Sequence, residues 1–359
     1  MMVRGANWPS ASASRPEIRL SQVAAHAGVS ASTVSNVVNG RSDRVGPKTF
    51  QRVVESIRAL NYQPSYAARL LRTGQTPMLG LMVPSIANPF FSSLASELDL
   101  ASQKRGYNLM LGNTYRDPDK EHEFLEDLMR YGARGVITTS SLARQSQYAF
   151  WIERGLSIVS FDRRASADFT LPVDYVSIDN VDAGYAATRH MLDRGHTSVA
   201  YVTAPAKTVA RMDRRDGYLA AMREAGLERR SSVFEPQSTA AFMDAELADV
   251  GRSMVEDMVA KKRLPGAIVA MNDMVALGVL SALHAHRIRV PDDVSLIGID
   301  NLFLDSLTTP GLSSMRQPLA EIAETMVERL RVRLANPRLP TTERVFKAEL
   351  VSRASVRNA

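Results

Sequence analysis

Between residues 78 and 300, short apolar runs alternate with stretches whose apolar positions recur every three to four residues, the spacing of one helix face. Runs over residues 78–84, 108–112, 135–139, 157–161 and 175–178 predict strands, and residues 90–104, 120–131 and 145–154 predict the helices between them. The pattern restarts with a predicted helix at 183–193. Strands at 198–203, 266–271 and 294–299 follow, with helices at 214–225, 251–262 and 274–284. Alternating β and α means parallel sheets with helices on both faces, and two comparable halves predict two doubly wound subdomains with a cleft between them. Ligands of such sheets lie at the carboxyl ends of the strands. The residues there are Ser85 and Asn88, Phe161-Asp162-Arg163, Asn272-Asp273 and Asp300-Asn301.

The first 60 residues have a different rhythm. A short helix over 21–27 stops at Gly28, which most cheaply takes the left-handed conformation. Ser30 then stands where an N-cap belongs, ahead of a second helix over 31–38. Val23, Ala27, Val29, Val34, Val37 and Val38 can meet between the two, leaving Ala31, Ser32, Ser35, Asn36 and Asn39 outward. A third helix runs from Pro47 to Leu60, with Phe50, Val53, Val54, Ile57 and Leu60 on one face. Helix-Gly-helix alone describes a plain three-helix bundle as well as a DNA reader; the charge distribution separates the two. Up to Gly74 there are ten Lys and Arg against three acids, a net charge of +7, while the remainder of the chain carries −1. A small cationic head on a nearly neutral body points to nucleic acid.

Composition narrows the rest. The 359 residues contain no Cys, which excludes disulfides and thiolate metal sites. Residues 1–17 read as a small, polar, disordered tail without an apolar run of signal-peptide length, and no stretch reaches the roughly 20 apolar residues of a membrane span. The expectation is a soluble, cytoplasmic protein with no membrane partner. Neither a Gly-rich phosphate loop nor a Gly-x-Ser-x-Gly elbow is present, so no motif supplies catalysis. His284 and His286 are two apart and diverge on a helix, and Asp117 and Asp119 flank Pro118 in a turn, so no metal or other cofactor is expected. Lys261-Lys262-Arg263 reads as a solvated helix end, where cations offset the dipole. The end of the chain lacks the leucine heptads of a tetramerising tail.

The words Val23-Ala24, Ala27-Gly28-Val29-Ser30, Thr33-Val34-Ser35, Val38-Asn39-Gly40 and Leu60-Asn61-Tyr62-Gln63-Pro64-Ser65, at this spacing, resemble the headpiece of the lactose-repressor/galactose-repressor transcription factors. The resemblance runs on to about Val356. It implies a helix-turn-helix headpiece at 18–63, a hinge at 64–74 and an effector-binding and dimerisation core at 75–359 with the type I periplasmic-binding-protein fold. The implied subdomains are about 75–176 with 308–341, and about 177–307 with 342–359, the chain crossing near Val176, Leu307 and Thr342. Carried over by position, Ala31, Ser32 and Asn36 reach base edges, and Thr33, Ser35 and Asn39 hold phosphates. Ser21, Tyr62 and Ala68 join the DNA-facing set. Asn36 departs from the Arg of many members; Arg pairs with guanine, whereas Asn suits the N6/N7 edge of adenine. In the hinge, Leu71 matches the residue that the family wedges into the minor groove. Composition alone reads the same segment as a linker with a helical bias.

In the core the resemblance implies an effector held by Asp162, Arg214, Asn272 and Asp300, with Ser85 and Arg163 nearby and Phe90, Phe91 and Phe161 as an apolar floor. Carboxylates and a guanidinium make charge-assisted bonds to hydroxyls, which suits a sugar or another neutral polyol gripped by Arg214 and Asp300 from opposite edges. Each residue also has a structural reading, the aspartates as helix caps and the phenylalanines as core. The purine-responsive branch is similar over 167–170 and 294–300, but two of its purine contacts are replaced by Thr208 and Ala210. Its stacking Phe has no match among Phe242, Asp244 and Glu246, which disfavours a purine. The implied function is an effector-controlled repressor, a homodimer on a pseudo-palindromic double-stranded operator. A sugar-binding receptor with no DNA role and a sugar-modifying enzyme are the alternatives; the first has no use for a basic head and the second lacks a catalytic constellation.

Overall fold

The computed structural model describes residues 18–38, 44–62, 76–139, 146–165, 171–205, 208–236 and 246–358. The chain divides into two compact units, Met1–Thr76 and Pro77–Ala359. Three helices form the first: α1 (Leu20–Ala27), α2 (Ala31–Val38) and α3 (Pro47–Ala59). Gly28 ends α1 at φ 60°, and its amide returns to the Ala25 carbonyl. Ser30 caps α2 by accepting from the Thr33 amide at 3.2 Å. Val23, Ala24, Ala27, Val34, Val37 and Val53 form the buried centre, with Phe50, Val54, Ile57, Leu60 and Tyr62 packed around it. His26 and Ser56 join α1 to α3 by a 3.0 Å hydrogen bond.

The second unit begins with β1 (Met78–Val83), α4 (Pro89–Gln103), β2 (Asn108–Asn113), α5 (Pro118–Arg130), β3 (Gly135–Thr138), α6 (Ser146–Glu153), β4 (Ser157–Phe161) and β5 (Val173–Ile178). It continues with α7 (Asn180–Leu192), β6 (Val199–Val202), α8 (Val209–Glu224), β7 (Ser232–Phe234), α9 (Leu247–Ala260), β8 (Ala267–Ala270), α10 (Asp273–Ala285) and β9 (Ser295–Asp300). The last elements are β10 (Ser313–Arg316), α11 (Leu319–Ala335), β11 (Glu343–Phe346) and β12 (Glu349–Val351). Two six-stranded sheets result, ordered β11-β5-β4-β3-β1-β2 and β12-β10-β9-β8-β6-β7. Every pairing is parallel except that of β10 with β12. Each sheet with its helices forms one lobe.

The crossings differ from the expected ones. β10 lies in the second sheet, so residues 308–316 belong to the second lobe and the chain returns to the first only after Arg316. β11 lies in the first sheet beside β5, so residues 342–346 stay in the first lobe. β10 went unpredicted because it is polar: Ser313 and Ser314 are fully buried yet satisfied by the Ser355 hydroxyl, which accepts from Ser313 N at 2.8 Å, and by Asp273 Oδ1, which accepts from Ser314 Oγ at 2.7 Å. Helix α8 begins five residues before the expected start at 214, because Thr208 caps it by accepting from the Arg211 amide at 3.3 Å.

Two close contacts position the second lobe. Gly184 on α7 lies against the backbone of Arg214, and Gly217 on α8 lies against the Val181 carbonyl; a Cβ at either place would collide with main chain. In the first lobe, Arg333 on α11 is 1 % exposed and grips the fully buried Asp174 of β5 with two bonds of 2.8 and 2.9 Å. Thr342 adds its amide and hydroxyl to the same carboxylate at 2.8 Å each, fixing the start of β11.

Candidate functional site

On the head, Ser21, Ala31 and Ser32 are exposed, and Thr33, Ser35 and Asn36 are half-buried along α2. Ser30 Oγ lies 2.8 Å from Ser32 Oγ and 2.9 Å from Thr33 Oγ1, so three hydroxyls cluster at the α2 N-terminus. Tyr62 is partly buried against the head core, a packing role that the sequence reading did not give it. Asn39, Ala68 and Leu71 lie outside the described residues.

In the core, six of the nine expected effector residues come together on the wall of one cavity: Phe90, Phe91, Asp162, Arg214, Asn272 and Asp300. The other three do not. Phe161 is fully buried and stacks behind Phe90 at 6.2 Å between ring centroids, so it supports the floor rather than forming it. Ser85 is buried with its hydroxyl accepting from the Ala87 amide at 3.3 Å, stabilising the turn into α4. Arg163 lies close enough to Tyr148 to act on its hydroxyl electrostatically, away from the cavity wall.

The cavity is built from both lobes. Asn88, Arg116 and Thr139 complete the first lobe's share, and Thr208, Ala210, Arg211 and Met271 the second's. Three of these residues are helix caps: Asn88 accepts from the Phe90 amide at 3.1 Å, Thr208 from Arg211 and Asn272 from the Val275 amide at 3.0 Å. The N-termini of α4, α8 and α10 therefore converge on one space. Sequence reasoning missed Arg116, which follows β2 in a left-handed turn at φ 58°, and Arg211. A signal for Arg211 was present, since it stands three residues before Arg214 and so shares a helix face with it.

Arg214 and Asp300 do not face each other across the cleft. Both come from the second lobe and stand as neighbours, Arg214 Nη1 lying 3.6 Å from Asp300 Oδ1. Arg214 Nη1 also donates to the Met271 carbonyl at 2.8 Å, and its Nε donates to Asn180 Oδ1 at 2.8 Å. Asn180 Nδ2 in turn donates to Asp162 Oδ1 at 3.0 Å, and Gln317 Nε2 donates to Asp300 Oδ1 at 2.8 Å. A polar chain thus runs Asp162–Asn180–Arg214–Asp300–Gln317. Asn180 follows the first crossing and Gln317 sits in the second, so the network joins the cavity wall to the segments about which the lobes can rotate. Burial pushes the Asp300 carboxyl well above its ordinary range, Arg214 pulls it back, and buried Asp273 pushes it up again. Asp162 and Asp300 take positive φ, 62° and 130°, which bends each strand end toward the cavity.

A helix-turn-helix head joined to two lobes that enclose a buried polar cavity defines an effector-controlled DNA-binding regulator. The family model for bacterial regulatory proteins of the lacI family matches residues 19–65, and that for a periplasmic binding protein-like domain matches residues 188–356. The chain is 32 % identical over 345 residues to the HTH-type transcriptional repressor PurR of Mannheimia succiniciproducens, covering 94 % of this chain and 98 % of that one. It is 32 % identical over 338 residues to the ribose operon repressor of Escherichia coli, covering 94 % and 99 %. A CelR–cellobiose complex superposes with a TM-score of 0.66 at 27 % identity over 95 % of this chain and all of that one. The lac repressor dimer bound to operator shares the fold with a TM-score of 0.80 at 22 % identity, covering 95 % and 99 %. The chain belongs to the lacI family of bacterial transcriptional regulators. It acts by binding DNA and not as an enzyme. Among the described residues, no helix is long and apolar enough to cross a membrane.

Proposed function

We propose that the chain is a cytoplasmic homodimeric repressor whose grip on a pseudo-palindromic operator is set by a small polyhydroxylated effector of the sugar class. The observation that carries this reading is the cavity: six residues named from the sequence meet there, joined by one polar network to two lobe crossings. On DNA, Ala31, Ser32 and Asn36 read base edges, Thr33, Ser35 and Asn39 hold phosphates, and Leu71 wedges into the minor groove. Ser21, Tyr62 and Ala68 complete that surface. An effector acts only through its differential affinity for the DNA-competent and DNA-incompetent arrangements. Closing the lobes over hydroxyls held by Asp162, Arg214, Asn272 and Asp300 supplies such a difference. The relatives support the ligand class, since solved structures of similar chains hold cellobiose and D-xylulofuranose.

The test is selection of an operator from randomised duplexes, followed by mobility shifts with and without candidate sugars. A single palindromic consensus whose complex responds to one ligand, with Arg214→Ala abolishing that response, is the expected outcome. Recovery of no preferred duplex would reject the reading.

A further inference from the structure

The cavity carries more positive than negative charge. Its charged lining is Arg116, Arg211 and Arg214 against Asp162 and Asp300, an excess of one cation with both carboxylates ionised. Both carboxylates are engaged already, Asp162 by Asn180 and Asp300 by Gln317 and Arg214. Arg211 is 8 % exposed, and its Nη1 donates to the Pro205 carbonyl at 3.3 Å, which fixes the guanidinium near the cap of α8. Arg116 faces the same space from the other lobe. The three helix N-termini add positive potential, each macrodipole being equivalent to roughly half a charge at its end. Hydroxyls alone leave this charge unbalanced in a desolvated space, and burial of unbalanced charge is costly.

We propose that the effector is a polyhydroxylated molecule bearing an oxyanion, a carboxylate or a phosphate, clamped by Arg116 and Arg211 from the two lobes while the Asp162–Asp300 network holds its hydroxyls. This rests on the cavity being the effector site and replaces the neutral polyol suggested by sequence alone. It also supplies the mechanism of control. With no anion present, two cationic walls resist approach; an oxyanion between them turns repulsion into bridging, so the ligand favours the closed arrangement. Guanidinium suits either group, because its planar fork bonds both carboxylate and phosphate.

The experiment is calorimetry on the full chain with matched probes: glucose, gluconate and glucose 6-phosphate; ribose and ribose 5-phosphate; and inorganic phosphate. At least one charged probe is expected to bind about tenfold or more tighter than its neutral parent, the size of one added charge-assisted contact. The sugar acid and the sugar phosphate distinguish the two sources of the anion. Arg211→Gln and Arg116→Gln should each erase most of that preference, with folding checked by circular-dichroism melting; half-buried Arg116 keeps the test available if the Arg211 variant does not fold. A neutral sugar binding as tightly as its charged partner overturns the proposal, as does an unchanged preference in both variants or no binding by any charged probe. A neutral sugar that also releases operator leaves the effector-controlled reading intact. Operator binding indifferent to every probe, charged or not, counts against that reading itself.

Discussion

Asn36 is a single side chain on which the operator sequence turns. From α2, an amide pairs with the N6/N7 edge of adenine, whereas a guanidinium pairs with guanine. Asn36→Arg is expected to move preference toward guanine at one position of each half-site by about 1–3 kcal/mol. Operator selection with both proteins checks this, and identical consensus sequences would remove Asn36 from the reading set. In the cleft, Asp300 is held above the ordinary carboxylate range by burial. Raising pH through its folded value adds a negative charge beside the effector, so affinity for an anionic ligand should fall as pH rises. Asp300→Asn should flatten that dependence in calorimetry across pH. The sequence made Asp162, Arg214, Asn272 and Asp300 legible because charged residues at strand ends are few. It left Phe161 ambiguous, because a strand-end aromatic serves equally as floor or as support, and only the stack on Phe90 decides.

Two buried aspartates in neighbouring elements respond to pH with opposite sign. Burial raises the Asp174 carboxyl of β5, but hydrogen bonds from Arg333 and Thr342 outweigh it and hold it low. Its contribution is present above the ordinary carboxylate range and is lost as pH falls through the lowered folded value. Asp305 is pushed up to about 9 by burial and by facing the Asp273 carboxylate, across which a proton must be shared. Here the folded state binds more protons than the unfolded chain, so stability falls as pH rises from the ordinary carboxylate range towards about 9. Melting curves against pH should show Asp305→Asn raising Tm at pH about 8 and Asp174→Asn lowering it, while removing part of the acid-side loss. Helix contacts are equally specific: Gly184→Ala should destabilise by about 1–3 kcal/mol in urea titrations, since overpacking here meets the Arg214 backbone. Strands such as β4 were legible as apolar runs. β10 was not, because its buried serines are paid for by partners more than forty residues away, Ser355 and, on the other side, Asp273.

For the whole molecule, the +7 charge of residues 1–74 makes operator binding a counterion-release reaction. Log affinity should fall linearly with log salt, and a slope near zero in anisotropy titrations would remove the head from DNA. The division into head and core was legible because charge and hydrophobic period both change near residue 75. The interleaving of the lobes was not, since no local signal marks which sheet a four-residue strand joins. That interleaving limits how such a protein can be recombined. The head ends at Thr76 in one uninterrupted stretch, so a single crossover in the gene exchanges operator specificity. No single crossover exchanges one lobe, because β10 and β11 sit in opposite sheets and each lobe is stitched from separate stretches of chain. New DNA targets are thus reachable by swapping a cassette, whereas new effectors have to arise by point substitution within the cavity wall.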